Sequence, residues 1–394
     1  MGIDKDLEIA VEEIRLKFLS NAEKYDRLKM FPHENFDSIV SAGLHAANLP
    51  ENLGGLGFNA EQTCNLISNL ASGCPSTALC LAMHYYSLGT FQHVFSEDMS
   101  NEILKNVVKK GEFFASINYP KIELMSNRNE ISERIGINLR KVDDGYIVNG
   151  VKTFVSGCPR ITYLPLYGFD ESVPQGLTAV LTLLTDSGIS IDETWDYSGM
   201  QATKSHNIIY DNVWIPADRL IGRKGMGIED TQDSVFWFRL ALASVYWGAA
   251  KAAYEHIKNI AKLRNDSISK RPIALMPGVQ YKVADILIKL ETCRHQILSC
   301  ARQLDQETLK GRQFSSELYT STLVTKQYVS QTANEILFLA MQVEGTGSLN
   351  RGSLLERLFR DVRAATFHPP AEDLLKEIIG KKELGIISIR NRWI

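Results

Sequence analysis

No stretch of this chain is both long enough and apolar enough to cross a bilayer. The most continuous apolar run, Ser234 to Ala250, is short and interrupted by Arg239, so it reads as a helix buried in a bundle. Cysteine is scarce. Cys64, Cys74, Cys80, Cys158, Cys293 and Cys300 are scattered over 394 residues without the paired spacing of a metal site, and no metal is expected. They read as free core thiols, which fits a reducing compartment. Neither sign of charge is in excess: 43 Lys and Arg face 46 Asp and Glu, which leaves no electrostatic case for nucleic acid or an anionic membrane as partner. Walker-type phosphate loops, Rossmann glycine fingerprints, internal repeats and low-complexity tracts are all missing. The opening residues, MGIDKDLEIAVEEI, are too acidic for a signal or transit peptide, so a cytoplasmic location is the expectation.

What is present divides by periodicity into three parts, 1–112, 113–225 and 226–394. In the first, Leu7, Val11, Ile14 and Phe18 make one apolar stripe of a helix spanning Asp6 to about Tyr25. The glycine-rich tract from Asn48 to Phe58 breaks that pattern, a helix resumes over Ala60–Ser72, and Pro75 starts another containing His84. The second part alternates: Tyr146–Ser156, Leu177–Thr185 and Asn207–Pro216 read as strands, with turns at Asp143-Asp-Gly145 and Asn149-Gly150. The third is helical again. Val279, Val283, Ile286, Leu290, Cys293 and Ile297 form a bundle seam, and a long helix runs from about Ser315 to Met341. Arg239, set inside an apolar run, needs a buried partner, and Asp361 and Glu344 are the candidate carboxylates.

The segment Gln342–Pro370 joins a Gly-x-Gly turn to a helix with Leu354, Leu358 and Val362 on one face, and His368-Pro-Pro370 ends it. Its order of Gln-Val-x-Gly-x-Gly, Leu355-Glu-Arg357 and Arg360-Asp-Val-Arg363 resembles the C-terminal flavin-binding segment of the acyl-CoA dehydrogenase superfamily. Asp144-Gly-Tyr-Ile-Val-Asn-Gly-Val-Lys-Thr-Phe-Val-Ser-Gly157 is similar to a signature of the same superfamily, as are Trp195–Thr203 with Asp211–Pro216.

The resemblance implies an α+β fold: an N-terminal helical domain, a middle β-barrel-like domain and a C-terminal four-helix bundle. It implies FAD, with FMN also accommodated. Ser156 would face flavin N5 and O4, Phe154 would cover the ring, and Thr203 with Ser205 would line the ribityl or ring edge. Arg271 and Gln280, with Arg264 in reserve, would hold the pyrophosphate, often that of a neighbouring subunit. Gln342, Gly345 and Gly347 belong to the same loop-and-bundle mode. The tract Ala115–Pro120 keeps Ser116, Asn118 and Pro120 of a longer family motif, and Asn118 would contact the flavin.

The family's glutamate base would fall at Pro369, eight residues after Asp361, and its second known position is Phe238. Glu372 and Asp373 follow two prolines and would need another loop path. The catalytic candidates are therefore His84, His368 and Arg239. The function expected is oxidation of an acyl-CoA or related thioester with hydride passing to flavin N5; the alternative is monooxygenation of a small organic substrate, with His84, Asn118, Ser156 and His368 as the polar set, and a flavoprotein kept as an assembly partner is a third. An electron-transfer partner or flavin reductase, and a homodimer or homotetramer, are the implied partners.

Overall fold

The computed structural model describes residues 5–118, 135–174 and 176–386. Pro120 of the Ala115–Pro120 tract lies outside the described residues. The chain begins with α1 (Lys5–Leu28), whose Val11, Ile14, Phe18, Ala22 and Tyr25 form the buried stripe at helical spacing. After α2 (His33–Ser41), α3 (Ala60–Ala71) opens on a capping box, in which the Asn59 side chain and Gln62 satisfy each other's backbone N–H groups. Pro75 sits in the first turn of α4 (Pro75–Phe91), where a missing N–H costs nothing, and every residue of this helix is buried. A helix with no polar face can only be central. α5 (Lys105–Lys110) closes the N-terminal helical part.

Seven strands follow: β1 (Ile137–Val142), β2 (Gly145–Val155), β3 (Tyr163–Asp170), β4 (Leu177–Leu183), β5 (Ile189–Asp192), β6 (His206–Pro216) and β7 (Leu220–Ile221). They form one sheet in the order β5-β6-β2-β1-β3-β4-β7, antiparallel except where β1 meets β3. β3 and β4 are covered on both faces. Tyr163, Tyr167, Leu177, Ala179 and Leu181 pack with Leu88 and Phe91 of α4 and Val107 of α5. Leu164, Leu166 and Val180 point the other way, into a core shared with Leu139, Val148, Ile208 and Val213. Residues from five strands thus meet in one cluster, so the sheet curls around its own interior.

The C-terminal part contains α6 (Ser234–Leu263), α7 (Pro277–Leu309), α8 (Ser316–Glu344), α9 (Leu354–Arg363) and α10 (Glu372–Glu383). Ser315 and Ser353 cap α8 and α9 by accepting from Leu318 and Glu356 N–H. Ile286, Leu290, Cys293 and Ile297 on α7 are buried as a seam, and all six cysteines are buried free thiols. The N-terminal helices and the bundle share one core, which runs from Phe18 and Leu66 to Trp247 and Ile336.

The tightest joint between them is Gly248. A Cβ there would come within 2.2 Å of the Ser68 carbonyl oxygen on α3, so the two helix backbones meet directly. Gly248→Ala is expected to lower stability by about 2–3 kcal/mol, despite alanine's better helix propensity. A thermal melt showing no loss would mean that α3 and α6 can separate freely.

Candidate functional site

The end of β2 and the loop before β6 build the first half of the site. Ser156 Oγ lies 2.9 Å from Ser205 Oγ, which lies 2.7 Å from Thr203 Oγ1, so three hydroxyls form a continuous run. Gly157 N–H donates to the Thr203 carbonyl at 2.8 Å, which holds the two segments together. Thr203 and Ser205 are buried and Ser156 is half-buried, so the open end of the run is Ser156.

Phe154 stands beside it with φ of 57°, a left-handed conformation that a bulky side chain adopts only when its surroundings force it. Its ring is 57% exposed and meets Trp195 and Tyr197 edge-on, while those two stack at 4.3 Å. A strained aromatic wall next to hydroxyls of adaptable polarity suits a planar ring with nitrogen and carbonyl edges. On these observations the residues fit a flavin. Asn118 is committed elsewhere: its amide accepts from Tyr167 N–H at 2.6 Å and donates to Tyr167 O at 3.0 Å. It pins the tract to β3 and leaves one N–H for a ligand.

The loop is fixed from the bundle side by Asp361. Its Oδ1 accepts from Met200 N–H at 2.5 Å, and a Cβ at Gly199 would fall 2.2 Å from the Arg360 carbonyl. Burial and the nearby Asp26 push the Asp361 carboxyl up to about 7, the effect of burial being the larger. A carboxyl raised in the fold binds its proton more tightly there than in the unfolded chain. Its contribution is present in full below the unfolded value of about 4 and is lost as pH rises through about 7. Asp361→Asn keeps the acceptor for Met200 and is expected to flatten the fall in stability across that window. Chemical denaturation at several pH values measures it, and an unchanged slope would assign the pH dependence elsewhere.

The second half of the site sits between α6, α8 and the turn after α9. Arg239 and Tyr246 are seven residues apart, hence on one face of α6; Thr322 and Lys326 are four apart on α8. Arg239 is buried, and its Nη1 donates to Thr322 Oγ1 at 3.2 Å and to the Tyr319 carbonyl at 3.3 Å, with the guanidinium over the Tyr319 ring. The expected carboxylate partner is not there: Asp361 is held by Met200 and Glu344 by His256. Lys326 Nζ donates to the His368 and Pro370 carbonyls, both at 2.9 Å, so it anchors the turn that ends on the two prolines. Burial, and then Arg239, lower the Lys326 ammonium to about 8. His368 Nδ1 is 2.8 Å from Tyr246 Oη. Burial first, and then Lys326, push its imidazole down to about 4, so it is neutral at pH 7.

His84 does not join either half. It is fully buried, Phe114 N–H donates to its Nδ1 at 2.9 Å, and its Nε2 lies 2.7 Å from the His45 carbonyl. Both ring nitrogens are occupied by backbone, and burial drives the imidazole down to about 3. The expectation of a catalytic His84 meets a different geometry: the ring ties α4 to the His45 turn and to Phe114, with both nitrogens taken by backbone. The residues expected to hold the rest of the cofactor are spread at the surface. Arg271 and Gln280 are exposed, and Gln280 Nε2 donates to the Ala274 carbonyl. Gln342, Gly345 and Gly347 are exposed at the end of α8. Arg264 is taken up in capping that helix through the Val343 and Glu344 carbonyls.

Sequence reasoning missed Lys326, Thr322 and Tyr246. The signal was legible: Thr322, Leu323, Lys326, Val329 and Ser330 share one buried face, so Lys326 is a charge at a core position.

Residues 8–110 match the acyl-CoA dehydrogenase N-terminal domain, and residues 225–384 match the acyl-CoA dehydrogenase C-terminal domain. The chain belongs to the acyl-CoA dehydrogenase family. Members of this family are FAD-dependent oxidoreductases, and both FAD and FMN serve as cofactor on this fold. A relative in Bacillus subtilis (strain 168), YdbM, is 28% identical over 364 residues, 91% of each chain. Among solved structures, butyryl-CoA dehydrogenase from Megasphaera elsdenii superposes with a TM-score of 0.84 at 18% identity, covering 98% of this chain and 100% of that one. Methanesulfinate monooxygenase MsuC from Pseudomonas fluorescens gives the same TM-score at 21% identity over 98% of each chain. The family fold therefore hosts both dehydrogenases and monooxygenases. Among the described residues, no helix is long and apolar enough to cross a membrane, and no group of His, Cys, Asp and Glu side chains is arranged to hold a metal ion.

Proposed function

We propose that this chain is a flavin-dependent monooxygenase acting on a small organic substrate, with segments 1–112, 113–225 and 226–394 enclosing the reaction. The observation that carries the reading is the set of groups around the turn after α9. Where the family's dehydrogenases place a glutamate, this chain has Pro369, and Phe238 fills the second position, its ring edge-on to Tyr86. Glu372 does not reach back: it accepts from Gln331 at 2.8 Å and pairs with Lys376 on the outer face of α10. The side chains in place are hydrogen-bond donors, namely Arg239, Lys326 and a neutral His368.

Removing a proton beside a thioester carbonyl needs a base, whereas oxygen insertion needs donors that hold an oxygen atom as charge builds on it. A bound flavin would supply electrons to O2 in this reading, or accept a hydride if the substrate were an acyl thioester. Ser156 would orient the flavin edge through the hydroxyl run, and Phe154 would exclude water from one face. In the tautomer in which Tyr246 donates to Nδ1, the His368 proton sits on Nε2 and would be donated towards the substrate side. Arg271, Gln280, Gln342, Gly345 and Gly347, all exposed, would grip the pyrophosphate of a second copy's cofactor in a homodimer or homotetramer.

The test is kinetic. The flavin-loaded protein is reduced without air, mixed with oxygenated buffer, and followed by absorbance. A long-lived spectrum distinct from both oxidised and reduced flavin is expected. Bleaching of the oxidised flavin by a short acyl-CoA under anaerobic conditions would reject the reading in favour of a thioester dehydrogenase.

A further inference from the structure

We infer that Arg239, Thr322, Lys326 and His368 form a binding site for the oxoanion end of a small organic substrate, a carboxylate or a sulfonate. The inference deepens the monooxygenase reading by naming the substrate's charged group, and it rests on that reading only for which end reacts.

Two cations sit in the core of a helical bundle, Arg239 at 4% exposure and Lys326 at 1%, and the hydrogen-bond partners of both among the described residues are neutral: a hydroxyl and backbone carbonyls. The acidic groups near them are accounted for. Asp361 is spent on Met200, Glu344 on His256, and Glu372, the one carboxylate that acts on Lys326 through space, is held by Gln331 and Lys376. Burying a cation without a partner costs several kcal/mol, and placing a second beside it adds repulsion. A core that needed only packing would fill these positions with leucine. An anion would offset that cost, and no side chain among the described residues supplies one to either cation.

The donor geometry matches that role. Arg239 spends Nη1 on Thr322 and Tyr319, which leaves the Nε and Nη2 side of its planar fork, the pair that binds two oxygens of one oxoanion. Lys326 uses two of its three N–H donors on the His368 and Pro370 carbonyls and keeps one. His368 turns Nδ1 to Tyr246, so Nε2 is the free atom. Donors from α6, α8 and the proline turn are thus left available to one charge of the opposite sign. The groups facing Lys326 are Arg239 from α6, the His368 carbonyl from the turn and Glu372 from α10; burial first, and then Arg239, lower its ammonium to about 8, against a smaller opposing pull from Glu372. Anion affinity is therefore expected to fall as pH rises through that value.

Methanesulfonate and its neutral isostere dimethyl sulfone separate charge recognition from shape. Binding to the oxidised, flavin-loaded protein is followed by calorimetry and by the flavin spectrum. Methanesulfonate is expected to bind at least about tenfold more tightly than dimethyl sulfone, a difference of about 1.4 kcal/mol. Arg239→Met and Lys326→Met should each weaken methanesulfonate about tenfold or more and leave the sulfone unchanged. Lys326→Met should also abolish the loss of affinity above about pH 8, whereas Lys326→Arg should keep affinity and shift that loss to higher pH. Equal binding of the two probes, or no binding of either at about 100 mM, overturns the inference using the wild-type protein alone. So does undiminished methanesulfonate affinity in both Met variants. Because no oxygen is involved, this experiment and the reduced-flavin experiment above can fail independently.

Discussion

Alanine in place of His84 is expected to cost this protein about 3–8 kcal/mol of stability, the largest single-residue effect among its histidines. The side chain is fully buried, and removing it leaves both a cavity and two unpaired backbone groups, Phe114 N–H and the His45 carbonyl. Each buried group left unsatisfied costs about 1–3 kcal/mol, and the lost packing adds about 1–2 kcal/mol. In a thermal melt the midpoint should drop by about 5–10 °C. Folded His84→Ala protein should still take up flavin, because the residue touches neither the hydroxyl run nor the aromatic wall. Since its imidazole is already neutral in the fold, wild-type activity should show no inflection near pH 6.5 from this group. A variant with unchanged stability and abolished turnover would restore the catalytic role.

His368→Ala is expected to behave in the opposite way. The ring contributes one contact to Tyr246, while the turn itself is held by Lys326 through backbone carbonyls, so folding should survive. What disappears is the donor on Nε2. Loss of a single well-placed donor lowers turnover by about 10²–10³-fold in sites that stabilise developing negative charge. The flavin content and spectrum of the purified variant should match the wild type. Full activity with His368 replaced would remove it from the site, and loss of flavin would make it structural instead.

Much of this architecture was readable in advance because burial imposes periods. The stripe of α1, the α7 seam and strands β2, β4 and β6 follow from apolar spacing alone. β3 did not, because Tyr163-Leu-Pro-Leu-Tyr-Gly-Phe-Asp170 is buried on both faces and carries no alternation, and Pro165 and Gly168 look like turn residues. At the candidate site, local motifs singled out Ser156, Phe154 and Thr203, which the fold brings to the end of β2 and the loop before β6. Long-range polar contacts were beyond reach. Arg239 was recognised as needing a partner, but a carboxylate was expected, and the fold supplies a hydroxyl, a carbonyl and an aromatic ring. His84 illustrates the same limit. Its neighbours on the helix say nothing about the His45 carbonyl and Phe114 N–H that claim its ring from other segments.

The hydrogen bond from Met200 to Asp361 spans 161 residues of sequence, and this has a bearing on biosynthesis. At about 5–20 residues per second, a ribosome needs roughly 10–30 s to make the intervening polypeptide. Throughout that delay the hydroxyl-bearing loop lacks the anchor that Asp361 supplies. Truncated products ending before α9 should accordingly fold their α3, α4 and α6 core while leaving the hydroxyl-bearing loop open to proteolysis.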